Sequence, residues 1–139
     1  SNTVEQRKWI PAMIEKYQIK SIADIGAGDL NWIKCTPLPN DIEYTPYDLV
    51  PRMPEVKKFD LVQQVPPKVD MLMCLWVLNH LPYEHCEQAL KNIKASGAKY
   101  LMMTHRPVWL HEQPPEIDMP YLEQIILNKK DDCIRLIEL

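Results

Sequence analysis

Two of the three glycines in the chain, Gly26 and Gly28, stand within three residues of each other. Ile22, Ala23 and Ile25 before them read as a buried strand, and a short helical pattern opens at Leu30. A strand that breaks at Gly-x-Gly and enters a helix brings bare backbone close to a ligand. Acids surround this turn: Asp24 lies two residues before Gly26 and Asp29 directly follows Gly28. Asp48 ends the next strand pattern, about 20 residues beyond the glycines, where a carboxylate can accept hydrogen bonds from a ribose diol. The plainer alternative for Asp48 is a solvated turn residue.

Two ligand classes use such a unit, dinucleotides and S-adenosylmethionine. A dinucleotide fingerprint runs Gly-x-Gly-x-x-Gly, and here Asn31 holds the third glycine position. Acids beside the loop repel a pyrophosphate and attract a ligand carrying sulfonium and ammonium charges, so Coulomb's law favours S-adenosylmethionine. For the chemistry, His80 is the candidate general base. It follows an apolar run at the edge where α/β sites form, and imidazole is the side chain whose ordinary titration lies near neutrality. The alternative is that it caps backbone or packs beside the cofactor. Asn79 either orients an acceptor or makes the turn. Arg106 reads as a surface arginine or an anion contact, and His105 shares its edge. Trp76 is a better candidate than Trp109 for lining an acceptor site, and Trp32 reads as core packing. His85 and His111 are given no role.

The elements that must position these residues follow from apolar spacing. Ile10, Met13, Ile14 and Tyr17 recur at helical intervals, and Pro11 implies either a helix from about Ile10 or a kinked one. Strands are expected at 21–25, near 43–49, at Phe59–Val62, over the apolar run 69–77, and at 99–104. Pro51 and Pro54 leave the helix after the second strand missing or reduced to a turn. Pro82 and Gly97 bracket a helix over 83–95. Residues 106–120 carry four prolines and no periodicity, and so read as a loop. Two final strands, 121–127 and 133–139, are joined as a hairpin through 128–132. The expected fold is α/β, a Rossmann-like, doubly wound, mostly parallel sheet with a C-terminal antiparallel hairpin, in one domain over 1–139.

Composition sets further bounds. The net charge of −3 and the lack of a basic run disfavour a nucleic-acid partner. No apolar stretch is long enough to cross a bilayer, and no signal-peptide pattern is read at the start. The four cysteines are scattered without a Cys-x-x-Cys pair, so no metal site is expected and a reducing, cytoplasmic setting is.

Asp24-Ile-Gly-Ala-Gly28 resembles the first motif of class I S-adenosylmethionine-dependent methyltransferases. Tyr47-Asp48-Leu49 is similar to their second motif, and Asp60-Leu61 to their adenine-contacting pair. Residues 70–81 and 96–103 look like their fourth and fifth strands. The resemblance covers about 21–139. It implies that Gly26, Ala27 and Gly28 pass under the cofactor and that Asp24 helps hold the methionine ammonium. It further implies that Asp48 grips the ribose, Leu49 packs on adenine, Asp60 accepts from the adenine amino group, and Leu61 offers its amide to the ring. Leu75 presents a carbonyl to the amino-acid end. Two departures stand out: the connection after Asp48 is short, and no inserted acceptor-binding region is evident. The Asn-Pro-Pro-Tyr type of motif is also absent after the fourth strand, where Asn79-His80-Leu81-Pro82 stands.

The leading expectation is a methyltransferase acting on oxygen or nitrogen of an unidentified acceptor, a small molecule, sugar or protein in preference to nucleic acid. The alternative is a non-catalytic cofactor-binding regulatory or partner subunit. A homo-oligomer or protein partner would suit the open site, and a nicotinamide-dependent oxidoreductase is disfavoured.

Overall fold

The computed structural model describes residues 4–106, 119–128 and 132–139. The elements run α1 (Val4–Lys16), β1 (Ser21–Ile25), α2 (Asn31–Lys34), β2 (Glu43–Asp48), β3 (Lys57–Lys58) and β4 (Met71–Cys74). A single 3-10 turn (Leu78–His80) leads into α3 (Tyr83–Ala95), followed by β5 (Tyr100–His105), β6 (Tyr121–Ile126) and β7 (Cys133–Glu138). The seven strands form one sheet in the order β3-β2-β1-β4-β5-β7-β6. β1 through β5 pair in parallel, and β7 runs antiparallel to both β5 and β6. The fold is the expected α/β arrangement with its reversed terminal hairpin. Residues 129–131 of the hairpin connection, most of the expected loop at 107–118, Trp109 and His111 lie outside the described residues, as does the side chain of Trp32.

Alternation along the central strands explains the two cores. Ile22, Met71, Met73, Met102 and Leu136 face α1, packing on Ile10, Met13 and Ile14. Ala23, Ile25, Leu72, Cys74, Leu101 and Met103 face the other way, onto Cys86, Ala89, Leu90 and Ile93 of α3. Side chains of successive strand residues point to opposite faces, so a strand covered on both faces must be apolar throughout.

α1 begins at Val4 and runs through Pro11. An interior proline costs a helix about 3 kcal/mol. Ile10 and Ile14 are buried on the sheet, and each such side chain contributes about 1.5–3 kcal/mol, which offsets the break.

Two strands differ from expectation. The third pairs at Lys57–Lys58, one residue pair before Phe59–Val62. Asp60 is the cause: its Oδ1 accepts the Val62 N–H at 3.0 Å, and its carbonyl accepts the Gln64 N–H at 2.9 Å, turning the chain out of the sheet. Phe59 and Leu61 are buried in the core without belonging to a strand. The fourth strand is confined to Met71–Cys74, because Trp76 adopts a φ of 61°, which no extended strand accommodates. Between β2 and β3 no helix forms, as the prolines imply.

α3 matches its expected bounds, with Pro82 at the N-cap and Gly97 at a φ of 78° just beyond its end. Inside it, the buried Asn92 donates through Nδ2 to the carbonyls of Leu61 (2.8 Å) and Val62 (3.1 Å). That pair of bonds ties the Asp60 turn to the helix.

Candidate functional site

A cleft of about 890 Å³ opens at the C-terminal edge of the parallel strands. It lies where β1 turns to β2 on one side while β4 flanks it on the other, the switch point at which open α/β sheets take ligands. Ile25 and Gly26 form its floor. Asp48, Leu49, Phe59, Asp60, Leu61, Val62 and Gln63 make one wall. Leu75, Trp76, Val77, His80, Leu81 and His85 make another, and Leu127, Asn128 and Ile134 reach it from the hairpin.

The glycine turn is closed by its own hydrogen bonds. The amides of Gly26 and Ala27 both donate to the Tyr47 carbonyl, at 2.8 and 2.9 Å. The Gly28 amide donates to Asp48 Oδ2 at 2.8 Å, and the Val50 amide to Asp48 Oδ1 at 3.2 Å. Leu30 and Asn31 donate to Ala27 O and Asp29 Oδ1. The amides of 26, 27, 28, 30 and 31 are thus engaged within the protein, and the loop presents no row of donors to a pyrophosphate. The Asp48 carboxylate, held by two amides, still has acceptor capacity, since a carboxylate offers about four lone-pair sites. It lines the cleft beside Leu49, an apolar side chain left 54% exposed. Among the described residues, no Lys or Arg lines the cleft, while Asp48 and Asp60 do.

The glycines differ from each other. Gly26 has a φ of 85°, and a Cβ there would sit 2.4 Å from Val77 Cγ2. Gly28 has a φ of 61° and nothing within 4 Å of a Cβ position. The first is required for packing of the β4 loop, and the second only for its backbone conformation.

Other expected residues take separate places. Asp24 is buried on the α1 face, where it accepts the Tyr44 hydroxyl; it, Ala27 and Gly28 are not among the cleft-lining residues. Burial and the charge of Asp24 hold the Tyr44 phenol far above its ordinary range, and the same two causes raise the Cys74 thiol. Leu61 lines the cleft although its side chain is almost fully buried. His80 lines the cleft from the 3-10 turn. Asn79, beside it, does not; its Nδ2 and Oδ1 are buried and make no hydrogen bond among the described residues. His105 ends β5, and burial, with Arg135 nearby, lowers its pKa despite the opposing charge of Asp132.

The fold superposes on solved structures. The methyltransferase domain of bacterial CtHen1-CN superposes with a TM-score of 0.67 at 12% identity, covering 99% of this chain and 100% of that one. The chain spans 63% of the CtHen1-C form of that domain. N-methyltransferase NodS from Bradyrhizobium japonicum WM9, in complex with S-adenosylhomocysteine, gives 0.64 at 12% identity over 99% of this chain and 89% of that one. Magnesium protoporphyrin IX methyltransferase from Synechocystis PCC 6803, with bound S-adenosylmethionine, gives 0.59 at 14% identity over 96% and 77%. The chain has the fold of class I S-adenosylmethionine-dependent methyltransferases. No family model and no curated protein matches it.

Within this methyltransferase fold, several cleft residues carried no signal in the sequence. His85 reaches the cleft because Pro82 starts α3 at the strand edge, placing position 85 in the first turn. Gln63 arrives through the Asp60 turn, and Asn128 through the hairpin, neither of which has a spacing rule to reveal it. Among the described residues no three His, Cys, Asp or Glu side chains converge as a metal site, and no helix is long and apolar enough to cross a membrane.

Proposed function

We propose that the chain binds S-adenosylmethionine in this cleft and transfers its methyl group to an oxygen or nitrogen of an acceptor molecule. The observation that carries the reading is the Asp48 carboxylate. It is fixed at the tip of β2 by the Gly28 and Val50 amides, and it stands in a cleft whose described lining residues include no Lys or Arg. A pyrophosphate would meet two acids there, and the amides of both glycines are already engaged. An adenosyl sulfonium would meet favourable charge and a ribose acceptor.

The residues present fit that cofactor. Asp48 takes the ribose hydroxyls, and Leu49, exposed until covered, packs on the adenine. Asp60 and Leu61 stand at the adenine end, their turn held by Asn92. Leu75 presents its carbonyl toward the amino-acid end, above the floor of Ile25 and Gly26, with Ala27 and Gly28 continuing the turn behind it. Asp24 contributes its charge from beneath the sheet. When bound, the cofactor supplies an activated methyl carbon on sulfur. Val77 and Leu81 exclude water from the reaction zone. An imidazole nitrogen of His80 takes the acceptor's proton. Asn79 stays outside this step, because its carboxamide is buried and off the cleft lining. Four cysteines scattered along the chain without a Cys-x-x-Cys pair support a reducing, cytoplasmic setting.

Titration calorimetry with S-adenosylmethionine, S-adenosylhomocysteine and NAD tests the cofactor. Binding of the first two and not of NAD is expected; binding of NAD alone would sink the reading. Methylation assays over phenols, amines, sugars and peptides then test catalysis. Tight cofactor binding with no transfer to any of them would leave the non-catalytic subunit as the better account.

A further inference from the structure

Trp76 occupies an unusual position in the cleft. It stands two residues beyond the end of β4 with a φ of 61°, a backbone conformation costly for a bulky side chain. Two contacts hold it there. Its amide donates to Thr104 Oγ1 at 3.1 Å, and the Arg106 guanidinium lies over its ring, 5.2 Å from the centroid. Arg106 is itself anchored: its Nε is 3.5 Å from Oδ1 of the buried Asp132, whose Oδ2 accepts from Asn128 Nδ2 at 3.0 Å. Thus β5, the hairpin and the β4 loop all brace one indole, which lines the cleft and is still 39% exposed.

Resting on the cofactor reading above, we infer that Trp76 is the stacking platform for the methyl acceptor, and that the acceptor is an uncharged planar aromatic molecule bearing a hydroxyl or amine. The charge pattern restricts the class. Arg106 is paired with Asp132, and no Lys or Arg is among the described residues that line the cleft, so these residues offer a phosphate-bearing acceptor no counter-charge. Leu81, Leu127 and Ile134 supply apolar walls for a ring system. Aromatic rings prefer offset stacking on an indole face, which a saturated ring of the same skeleton cannot match. The cleft volume lies near the upper end for a single small ligand and so leaves room for cofactor and acceptor together.

The test titrates 2-naphthol, its saturated counterpart decahydro-2-naphthol and a 12-nucleotide single-stranded RNA into the protein, with and without S-adenosylhomocysteine. Wild type is expected to prefer 2-naphthol over the saturated compound at least tenfold. Trp76→Ala should abolish that preference and Trp76→Phe should keep it. Affinity for S-adenosylhomocysteine should change less than threefold in either variant. A preference below tenfold in wild type, its persistence in Trp76→Ala, or tighter binding of the RNA than of 2-naphthol overturns the inference. Failure of S-adenosylhomocysteine to bind wild type would instead remove the cofactor reading, and the naphthol preference measured without it would still judge the platform.

Discussion

Asp48 Oδ2 accepts the Gly28 amide at 2.8 Å, so the acid at the tip of one strand and the glycine turn after its neighbour form one unit. The bond does two things at once. It orients the carboxylate toward the cleft, and it uses an amide that a phosphate-binding loop would keep open. Asp48→Ala should therefore weaken S-adenosylhomocysteine binding by about 1.5–3 kcal/mol, the range for hydrogen bonds to a charged group. Asp48→Asn, which keeps one acceptor, should lose less. Calorimetry on both variants checks this, and unchanged affinity in the alanine variant would remove Asp48 from the site.

Gly26→Ala should destabilise the fold by about 2–4 kcal/mol, combining a positive φ with overpacking against Val77. Val is stiff at χ1 and cannot swing aside. Adding Val77→Ala should restore part of the loss, leaving the backbone component. Denaturant melts of the two single variants and the double variant measure that coupling.

His80→Ala should slow methyl transfer about 100-fold or more while leaving S-adenosylhomocysteine affinity nearly intact, as expected for a general base. Single-turnover rates beside equilibrium titrations separate the two effects. Equal turnover in variant and wild type would make His80 structural.

Asn92→Ala removes both donors from the carbonyls of Leu61 and Val62. Leaving buried acceptors unpaired should lower stability by about 1–3 kcal/mol. The same variant should loosen the Asp60–Leu61 wall of the cleft and, on the proposed reading, weaken cofactor binding, although Asn92 lies outside the cleft-lining set. Chemical denaturation and calorimetry on one preparation read both effects.

Glu123 on β6 accepts from Lys16 Nζ and from the Tyr17 hydroxyl, tying the end of α1 to the sheet edge. The Lys16 hydrogen bond, then that of Tyr17, holds its carboxyl below the ordinary 4.5. A carboxyl with a depressed folded-state pKa stabilises the fold above its unfolded value and loses that contribution as pH falls through the folded one. The melting-temperature gap between wild type and Glu123→Gln should be widest near neutral pH and close below about pH 4.5. Added salt should shrink it, because the pair is solvent-accessible.

The first strand, the glycine turn, α3 and the reversed hairpin were legible because each obeys a short-range rule: an apolar run, a Gly-x-Gly break, a proline–glycine bracket, alternating strands about a polar turn. Phe59–Val62 was misread as a strand for the same reason. Phe59 and Leu61 are buried and the Phe59 amide still donates to the Asp48 carbonyl at 2.8 Å, but Asp60 then bends the backbone into a turn that leaves no mark in the apolar pattern. The 69–77 run was read too long because nothing in the sequence announces a left-handed Trp76.

By itself, the sequence determined the fold class, the acid-flanked glycine turn, and Asp48 as the acid about 20 residues beyond it. Those depend on neighbours close along the chain and on strand order. The tertiary structure alone decided that the loop amides are spent on Tyr47 and Asp48, and that Asp24 faces α1. It also decided that His85, Asn128 and Trp76 meet at one cleft, and that Arg106 lies over the Trp76 ring. The physical reason is that a hydrogen bond or a stacked ring joins residues far apart in the chain. Where such partners meet is set by sheet register and the packing of both faces, which no local spacing encodes.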